Sequence, residues 1–459
     1  MKLDLGFCFA ATGARVNSSP GSGLEVLQCS TDSRSLSPGA LFFALKGPTH
    51  DGHEHAGEAF QRGAVAAVVS RPLELDGLQL LVDDTLAALQ RLAAAARARW
   101  GRESPRRVVG VTGSAGKTIT KDAIAAVLAT AYPTSKTTGN FNNHIGVPLS
   151  VLNLDDEARA AVIEIGMNHA GEIRELAAIA QPEIGVVTNV GTAHIESFDS
   201  IEGIALAKRE LIEALPAGGI AVLNADDARV RRFAEIHSGR TIFFGTSMAS
   251  AATSGDVLAD GVAWRADGCD FTIRGAGRFH CPLPARGGLM AALAALATAR
   301  ALDLDLAPLQ EAVARLEPPQ MRLQRMERGG VVIWDDCYNS NPEAACMMLD
   351  LLAVTPAARR IAVLGEMLEL GKCSEELHRS VGRHAVQCEV SVLVGIRGAA
   401  RHLVDEARGA GLTAGAAYFF DEPAAAGQFL KTIARRGDCI LFKGSRGTHV
   451  EVALEEFLR

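Results

Sequence analysis

At 459 residues the chain is long enough for two to four domains with large cores. Its formal net charge of −7 is spread along the sequence without a basic block, which argues against a nucleic-acid surface and is neutral toward small anions. Apolar residues make up 48% of the chain, yet no stretch reaches the roughly 18 uninterrupted apolar residues of a membrane span.

In chain order, the opening MKLDLGFCFAATGARV lacks a basic leader with a long apolar core, so no signal peptide is expected and the cytoplasm is the expected compartment. Short strands are predicted at LFFALKG (41–47), AVAAVVS (64–70) and LQLLVDD (78–84). Thr85 to Trp100 reads as a helix with Leu86, Leu89, Leu92 and Ala96 on one apolar face. The polar, proline-broken Gly101–Arg107 reads as a linker.

From Val108 onward apolar runs alternate with segments of helical length: AAVIEIG (160–166), IGVVTNV (184–190) and GIAVLNA (219–225) are the clearest strands. This is the βαβ rhythm of a doubly wound, mostly parallel sheet. The glycine-rich stretch 246–281 predicts antiparallel strands on its edge, followed by an alanine helix from Leu289 to Arg300. After Pro318-Pro319 the alternation restarts with VVIWDD (331–336), RIAVLG (360–365), VSVLVG (390–395), AAYFF (416–420) and DCILFKG (438–444), a second open, Rossmann-like α/β sheet. The expected architecture is therefore α/β in three domains: a small one over 1–104, a central P-loop ATPase sheet over 105–318, and the C-terminal sheet over 319–459. Nine cysteines, Cys8 to Cys439, form no CxxC pair; reduced, mostly buried thiols fit better than a zinc site or disulfide framework, and Cys337 reads as a small filler.

The chemistry starts at VVGVTGSAGKT (108–118). A β-branched run enters the turn Thr112-Gly113-Ser114-Ala115-Gly116, which closes on Lys117 and Thr118 ahead of a helix predicted from Ile119 to Thr130. Such a turn cradles phosphate: backbone N–H groups and a helix N-terminus hold anionic oxygens, a lysine adds a point charge, and a hydroxyl can ligate Mg²⁺. Val111 stands where GxxxxGK[ST] has its first glycine, so the motif is the shorter form, and ATP is the expected ligand.

Ligands of parallel α/β sheets gather beyond the C-terminal ends of strands. Glu164, near the end of AAVIEIG, could hold Mg²⁺ beside a nucleotide, and His194 follows IGVVTNVGTA as a second metal-site candidate. The loop Thr138 to Pro148 crowds Asn140, Asn142 and Asn143, amides suited to polar ligands that also form ordinary turns. Lys208, at the start of AKRELIEAL, reads by itself as one more lysine on a solvated face. In the third segment Asp336, Asn339 and Asn341 could bind ribose or phosphate, or Asn341 could simply cap a helix. Lys443, Ser445 and Arg446 at another strand end would favour a carboxylate or phosphate, and Arg322 could reach a γ-phosphate only if two domains close together.

With these residues the chain resembles the Mur ligase family over nearly its whole length. The resemblance is carried by Thr31-Asp32-Ser33-Arg34, LFFALKG with Asp51-Gly-His53, TGSAGKT, GNFNNHIGVP, EIGMNHAGEI, the stretch His194 to Lys208, DDCYNSNP, LGEMLELG (364–371) and KGSRG. GNFNNHIGVP, DDCYNSNP and LGEMLELG favour the branch that adds D-alanyl-D-alanine.

The resemblance implies an ATP-dependent ligase of cytoplasmic peptidoglycan precursor synthesis, joining D-alanyl-D-alanine to UDP-N-acetylmuramoyl-tripeptide through an acyl phosphate. A monomer is expected. The N-terminal domain would hold the UDP-sugar end near Thr31, Asp32, Ser33, Arg34 and Lys46. Lys117 and Thr118 would bind the β- and γ-phosphates and Mg²⁺, with Glu164 and His194 positioning two Mg²⁺ ions. Lys208 matches a lysine that family members carry as a carbamate. Asn140, Arg322, Asp336, Asn339 and Asn341 fall to ATP, and Asn142, Asn143, Lys443, Ser445 and Arg446 to the other substrates. The chain departs from the family at Ala285–Ala291, where a Gly-x-His-Asn segment and a later Asn that contacts the base are usual, and at His449, where methionine is common. A sibling ligase with another amino-acid substrate, a weakened paralogue that binds the UDP-precursor without turnover, and a plain P-loop kinase are the alternatives.

Overall fold

Val108, Val109 and Val111 lie in a six-residue strand, Arg107–Thr112, whose interior is buried on both faces. In the computed structural model, which describes residues 1–16, 24–102, 105–246, 253, 255–265 and 267–459, this strand is the pivot of a nine-stranded sheet. Val109 lies in register with Val162 on one side and Ile184 on the other, all in parallel. The first strand of the segment thus sits between the third, Ala160–Glu164, and the fourth, Ile184–Val187. That reversal of strand order opens a crevice at the C-terminal end of Arg107–Thr112, where the phosphate turn begins.

Beyond Ile184–Val187 the sheet continues in parallel through Ile220–Asn224, Arg240–Gly245 and Val257–Arg265. It then turns antiparallel through Gly268–Ile273 and Gly277–Cys281, the edge strands expected of the glycine-rich stretch. Residues 247–252, 254 and 266 of that stretch, and 103–104 of the expected linker, lie outside the described residues. Helices cover both faces, with Lys117–Leu128 packed along Ala285–Ala301 on one of them.

The N-terminal segment forms its own five-stranded sheet, in which Gln28–Ser30, Ala40–Phe43, Ala66–Val69 and Gln79–Leu81 run parallel. The third segment forms a six-stranded sheet, parallel except for its edge strand Gln324–Arg328. Its five parallel strands fall on the predicted runs, each followed by a helix. No sheet crosses residue 104 or 318, but the apolar cores do. Leu89, Leu92, Ala96 and Trp100 of helix Thr85–Trp100 share one core with Val151, Leu152 and Leu176. Trp334, Leu349 and Leu352 belong to the same core as Ile124 and Leu293.

Several element boundaries differ from expectation by a few residues, and two of the differences have a local cause and bear on the site. The strand predicted through Gly166 stops at Glu164, because Gly166 N–H donates to Asn142 O (2.7 Å) and folds the chain toward the asparagine loop. The helix predicted to begin near Lys208 begins at Ile201 instead, capped by Ser200, whose Oγ accepts from Gly203 N–H. Lys208 is therefore mid-helix, on the apolar face and 1% exposed, which overturns its reading as a solvated lysine.

Candidate active site

The phosphate turn is held open by its neighbours. Gly113 has φ 152°, and a Cβ there would lie 1.8 Å from Thr188 Oγ1, so only glycine fits. Gly116 (φ 79°) caps helix Lys117–Leu128 in the left-handed region, leaving the first N–H groups of the helix aimed into the crevice. Ala115 is gripped from both sides: its N–H donates to Asn189 Oδ1 (2.8 Å), while its carbonyl accepts from Thr188 Oγ1 (2.7 Å) and Asn189 Nδ2 (3.0 Å). Ser114 Oγ exchanges hydrogen bonds with Gly191. Lys117 Nζ folds back on Gly113 O (2.9 Å), and burial holds its pKa below the usual value against the partial opposition of the Glu164 carboxylate.

This turn lies at the floor of a cavity of about 780 Å³, walled by the central and third segments. Glu164 is buried, with Oε1 accepting from Asn142 Nδ2 (2.7 Å) while Oε2 has no partner. Gly166 permits that approach, since a Cβ there would meet the Asn142 amide at 2.9 Å. Thr118 Oγ1 is likewise buried and unpaired. Two partnerless buried oxygens, one anionic, beside a phosphate cradle fit a hard divalent cation, for which oxygen ligands are the rule.

His194 sits at the cavity wall in a left-handed backbone conformation (φ 64°). Its Nδ1 donates to Glu369 Oε2 at 2.6 Å. Glu369 is itself left-handed (φ 63°), and the imidazole holds its carboxyl below the usual range. Two non-glycine residues in this region, facing each other across segments, mark stored strain at a working site. A histidine with one ring nitrogen tied to a carboxylate presents the other in a fixed tautomer, as metal-ligating histidines do.

Lys208 does not line the cavity. It is buried without a hydrogen-bond or ion-pair partner, and burial, with Lys117 as the lesser cause, pulls its pKa well below the usual value. A lowered pKa makes an amine more available as a nucleophile.

Arg322 lines the cavity from the third segment, its guanidinium stacked 4.1 Å from the Tyr338 ring centre. Met321 and Leu323 on either side of it are both left-handed, φ 57° and 50°. Arg322 and the phosphate turn thus line the same cavity. Asn341 caps helix Pro342–Val354, its Oδ1 accepting from Ala344 N–H, while Nδ2 points at Ser114 O (3.5 Å) across the segment boundary. Asn140 and Asn339 also line the cavity.

Other expected residues have bonds within the protein, with Asp336 and Lys443 also lining the cavity. Asp336 and Lys443, neighbours in register on parallel strands, form a buried pair at 2.5 Å, and Asp336 Oδ1 also accepts from Leu323 N–H. Lys443 also donates to Asn339 O, so both are engaged in holding the loop between them. Asn143 lines the cavity but caps helix Gly146–Leu152 through Ile145 and Gly146 N–H. Ser445 and Arg446 border an adjoining cavity of about 210 Å³ that also touches Lys117 and His194. Ser445 Oγ accepts from Leu368 N–H, while the exposed Arg446 pairs with Glu451.

Thr112 stays in its strand below the turn with a buried, unpaired hydroxyl. Thr31, Asp32, Ser33, Arg34 and Lys46 line neither cavity. Asp32 binds Arg34 through two oxygens at 2.9 Å, and Ser33 Oγ donates to Glu58.

At the far end of the large cavity, Ala285–Ala291 forms the first turns of helix Ala285–Ala301. Gly287 leaves room for Met347 of the third segment, whose Sδ a Cβ would meet at 2.9 Å, and Arg286 pairs with Asp226 (2.8 Å). This end offers Phe244, Met290 and Met347. Sequence reasoning missed Thr188, Asn189, Glu369 and Glu343. The last accepts from Thr192 N–H (2.7 Å) and Oγ1 (3.1 Å), tying the third segment to the central one. Glu369 was within reach, since LGEMLELG had been singled out; the others lie in stretches whose composition is ordinary.

A phosphate cradle at a topological switch point, with unpaired hard oxygens beside it and an arginine delivered by another sheet, defines a phosphoryl-handling enzyme assembled from three α/β units. Three family profiles match the chain: "Mur ligase family, catalytic domain" over 25–99, "Mur ligase middle domain" over 111–299, and "Mur ligase, glutamate ligase domain" over 321–446. The UDP-N-acetylmuramoyl-tripeptide–D-alanyl-D-alanine ligase of Escherichia coli is 36% identical over 445 residues, 96% of this chain and 94% of that protein. The Bacillus subtilis protein of the same name is 34% identical, covering 93% and 92%. Among solved structures, MurF from Acinetobacter baumannii superposes with a TM-score of 0.88 at 29% identity, covering 100% and 99%. MurF ligase from Thermotoga maritima in complex with ADP gives 0.81 at 29%, covering 94% and 97%. The chain belongs to the Mur ligase family.

Proposed function

We infer that the protein is an ATP-dependent amide ligase that joins D-alanyl-D-alanine to UDP-N-acetylmuramoyl-tripeptide in peptidoglycan precursor synthesis. The observation that carries the chemistry is the meeting, in one cavity, of the phosphate turn, the unpaired Thr118 and Glu164 oxygens, and Arg322. The choice of substrates rests on the named relatives matched along most of the chain.

The terminal carboxylate of the tripeptide attacks the γ-phosphorus of ATP, forming an acyl phosphate and releasing ADP. The amine of D-alanyl-D-alanine then adds to the acyl carbon, expels inorganic phosphate and loses a proton, leaving the amide. The protein's part is positioning and neutralisation of charge gathering on the transferred group. The turn amides and Lys117 hold the phosphates, and Arg322, stacked on Tyr338, meets the γ-phosphate from the other side. Two Mg²⁺ ions would be held by Thr118, Glu164 and His194, and would offset negative charge on the phosphate oxygens. Lys208, whose buried amine titrates below the usual lysine range, is suited to adding CO₂ and losing a proton to become a carbamate, which would place an anion at that position. The adjoining cavity bordered by Ser445 and Arg446 suits the dipeptide, whose carboxylate the guanidinium would meet. Segments 1–104, 105–318 and 319–459 would act as the units holding the UDP-sugar, ATP and dipeptide.

The test is phosphate release with ATP, Mg²⁺ and UDP-muramoyl-tripeptide against a panel of amines. Release triggered by D-alanyl-D-alanine, slowed by CO₂ depletion and restored by bicarbonate, is expected. Release triggered only by another amino acid would replace the substrate reading, and stable phosphorylation of the acceptor would indicate a kinase. Lys117→Ala is expected to abolish ligation; near wild-type product formation by that variant would unseat the phosphate turn from its role.

A further inference from the structure

Outside the catalytic cavities, two helices of the third segment bring metal-ligating side chains together. Asp350 lies on Pro342–Val354; His384 lies on Ser374–Gln387, with Cys388 at its C-cap. His384 Nε2 is 2.7 Å from Asp350 Oδ1, and Cys388 Sγ is 3.6 Å from the same oxygen. One donor atom from each of the three lies within 4.8 Å of the others. Cys346 stands four residues before Asp350, and Cys388 four residues after His384, so each helix offers an i, i+4 pair on one face.

We propose that Cys346, Asp350, His384 and Cys388 form a binding site for a borderline-soft divalent ion such as Zn²⁺, fastening the helix Pro342–Val354 to Ser374–Gln387. A thiolate–imidazole–carboxylate donor set suits zinc and excludes Mg²⁺, which takes oxygen ligands. Zinc bonds of about 2.0–2.3 Å place tetrahedral donors roughly 3.3–3.8 Å apart, close to the spacing of the Asp350, His384 and Cys388 donors, which lie within 4.8 Å of one another. Without an ion, burial and the Asp350 carboxylate push the Cys388 thiol up to about 12, so the metal must displace its proton to solvent on binding. Both helices start at the segment boundary: Glu343 in the first turn of one bonds Thr192, and Glu369, shortly before the other, bonds His194. A bound ion would therefore brace the contacts that close the catalytic cavity. The spacing escapes a search for CxxC because its two pairs are helical and 34 residues separate Asp350 from His384.

The test uses the full chain, reduced and freed of metal, with Mg²⁺ present throughout. Titration with Co²⁺ is expected to give a thiolate-to-cobalt charge-transfer band saturating at one equivalent, bleached by Zn²⁺, and Zn²⁺ is expected to raise the melting temperature by a few degrees. Cys388→Ser should lose both responses. Asp350→Asn, at an exposed position that leaves the fold intact, should weaken Co²⁺ binding at least tenfold, and Cys373→Ser should change neither. Absence of the band in the native chain, or its persistence at full strength in Cys388→Ser or Asp350→Asn, would overturn the proposal.

Discussion

At the scale of single residues, the site is set apart by two buried oxygens left unpaired amid polar atoms that mostly bond one another. Thr118 Oγ1 and Glu164 Oε2 stay unpaired at a burial where an orphaned polar group costs about 1–3 kcal/mol, a cost repaid when an ion takes them up. Asp336 and Lys443 show the opposite case, a buried pair satisfied within the protein. Glu369 is the informative intermediate, a carboxylate from the third segment spent on orienting a histidine of the central one. Outer partners of metal-ligating histidines are worth about 10–100-fold in metal affinity or activity. Glu369→Ala is therefore expected to raise the Mg²⁺ concentration giving half-maximal phosphate release about tenfold, with the protein's melting temperature little changed. An unaltered Mg²⁺ requirement would mean that His194 acts without its carboxylate.

At the scale of elements, the loop Glu366 to Cys373 matters as much as the helices because it delivers Glu369. It is pinned from beneath by His378, wholly buried on Ser374–Gln387. His378 Nε2 accepts from Met367 N–H (2.9 Å) and Nδ1 donates to Ser374 O (2.7 Å), so the ring must be neutral. Burial holds its pKa below the usual 6.5. The unfolded chain then binds the proton more readily, so this contribution is complete above about pH 6.5 and falls away as pH drops through that value. His378→Gln, less stable at pH 8, is expected to show a flatter loss of stability between about pH 7 and pH 5 than the native chain. Parallel stability curves in urea titrations at several pH values would show that the ring does not carry the dependence.

At the scale of the whole molecule, three sheets share two of their cores, and short polar contacts accompany the apolar packing between the central and third segments. Glu343 is bonded to Thr192 and packed so closely that a Cβ on Gly191 would touch its carboxylate at 2.8 Å. Closure that completes a catalytic set commonly limits turnover. Glu343→Ala is expected to enlarge the radius of gyration measured by small-angle scattering in the absence of nucleotide and to lower kcat several-fold, with nucleotide still bound. Unchanged scattering and kcat would remove Glu343 from the closure.

Local patterns, where hydrophobic periodicity and turn chemistry act over a few residues, were enough to read the three α/β sheets, the phosphate turn, the strand-end positions of Glu164 and His194, and the family resemblance. They were not enough for partners distant along the chain. That Lys208 is buried, that Lys443 is bound to Asp336, that His194 rests on Glu369 and that Asp350 faces Cys388 all depend on which helix or strand packs beside which. A residue's type states what it can bind, but burial and the neighbour opposite determine its charge and whether its lone pairs are already used. Those two quantities exist only once the chain has closed on itself.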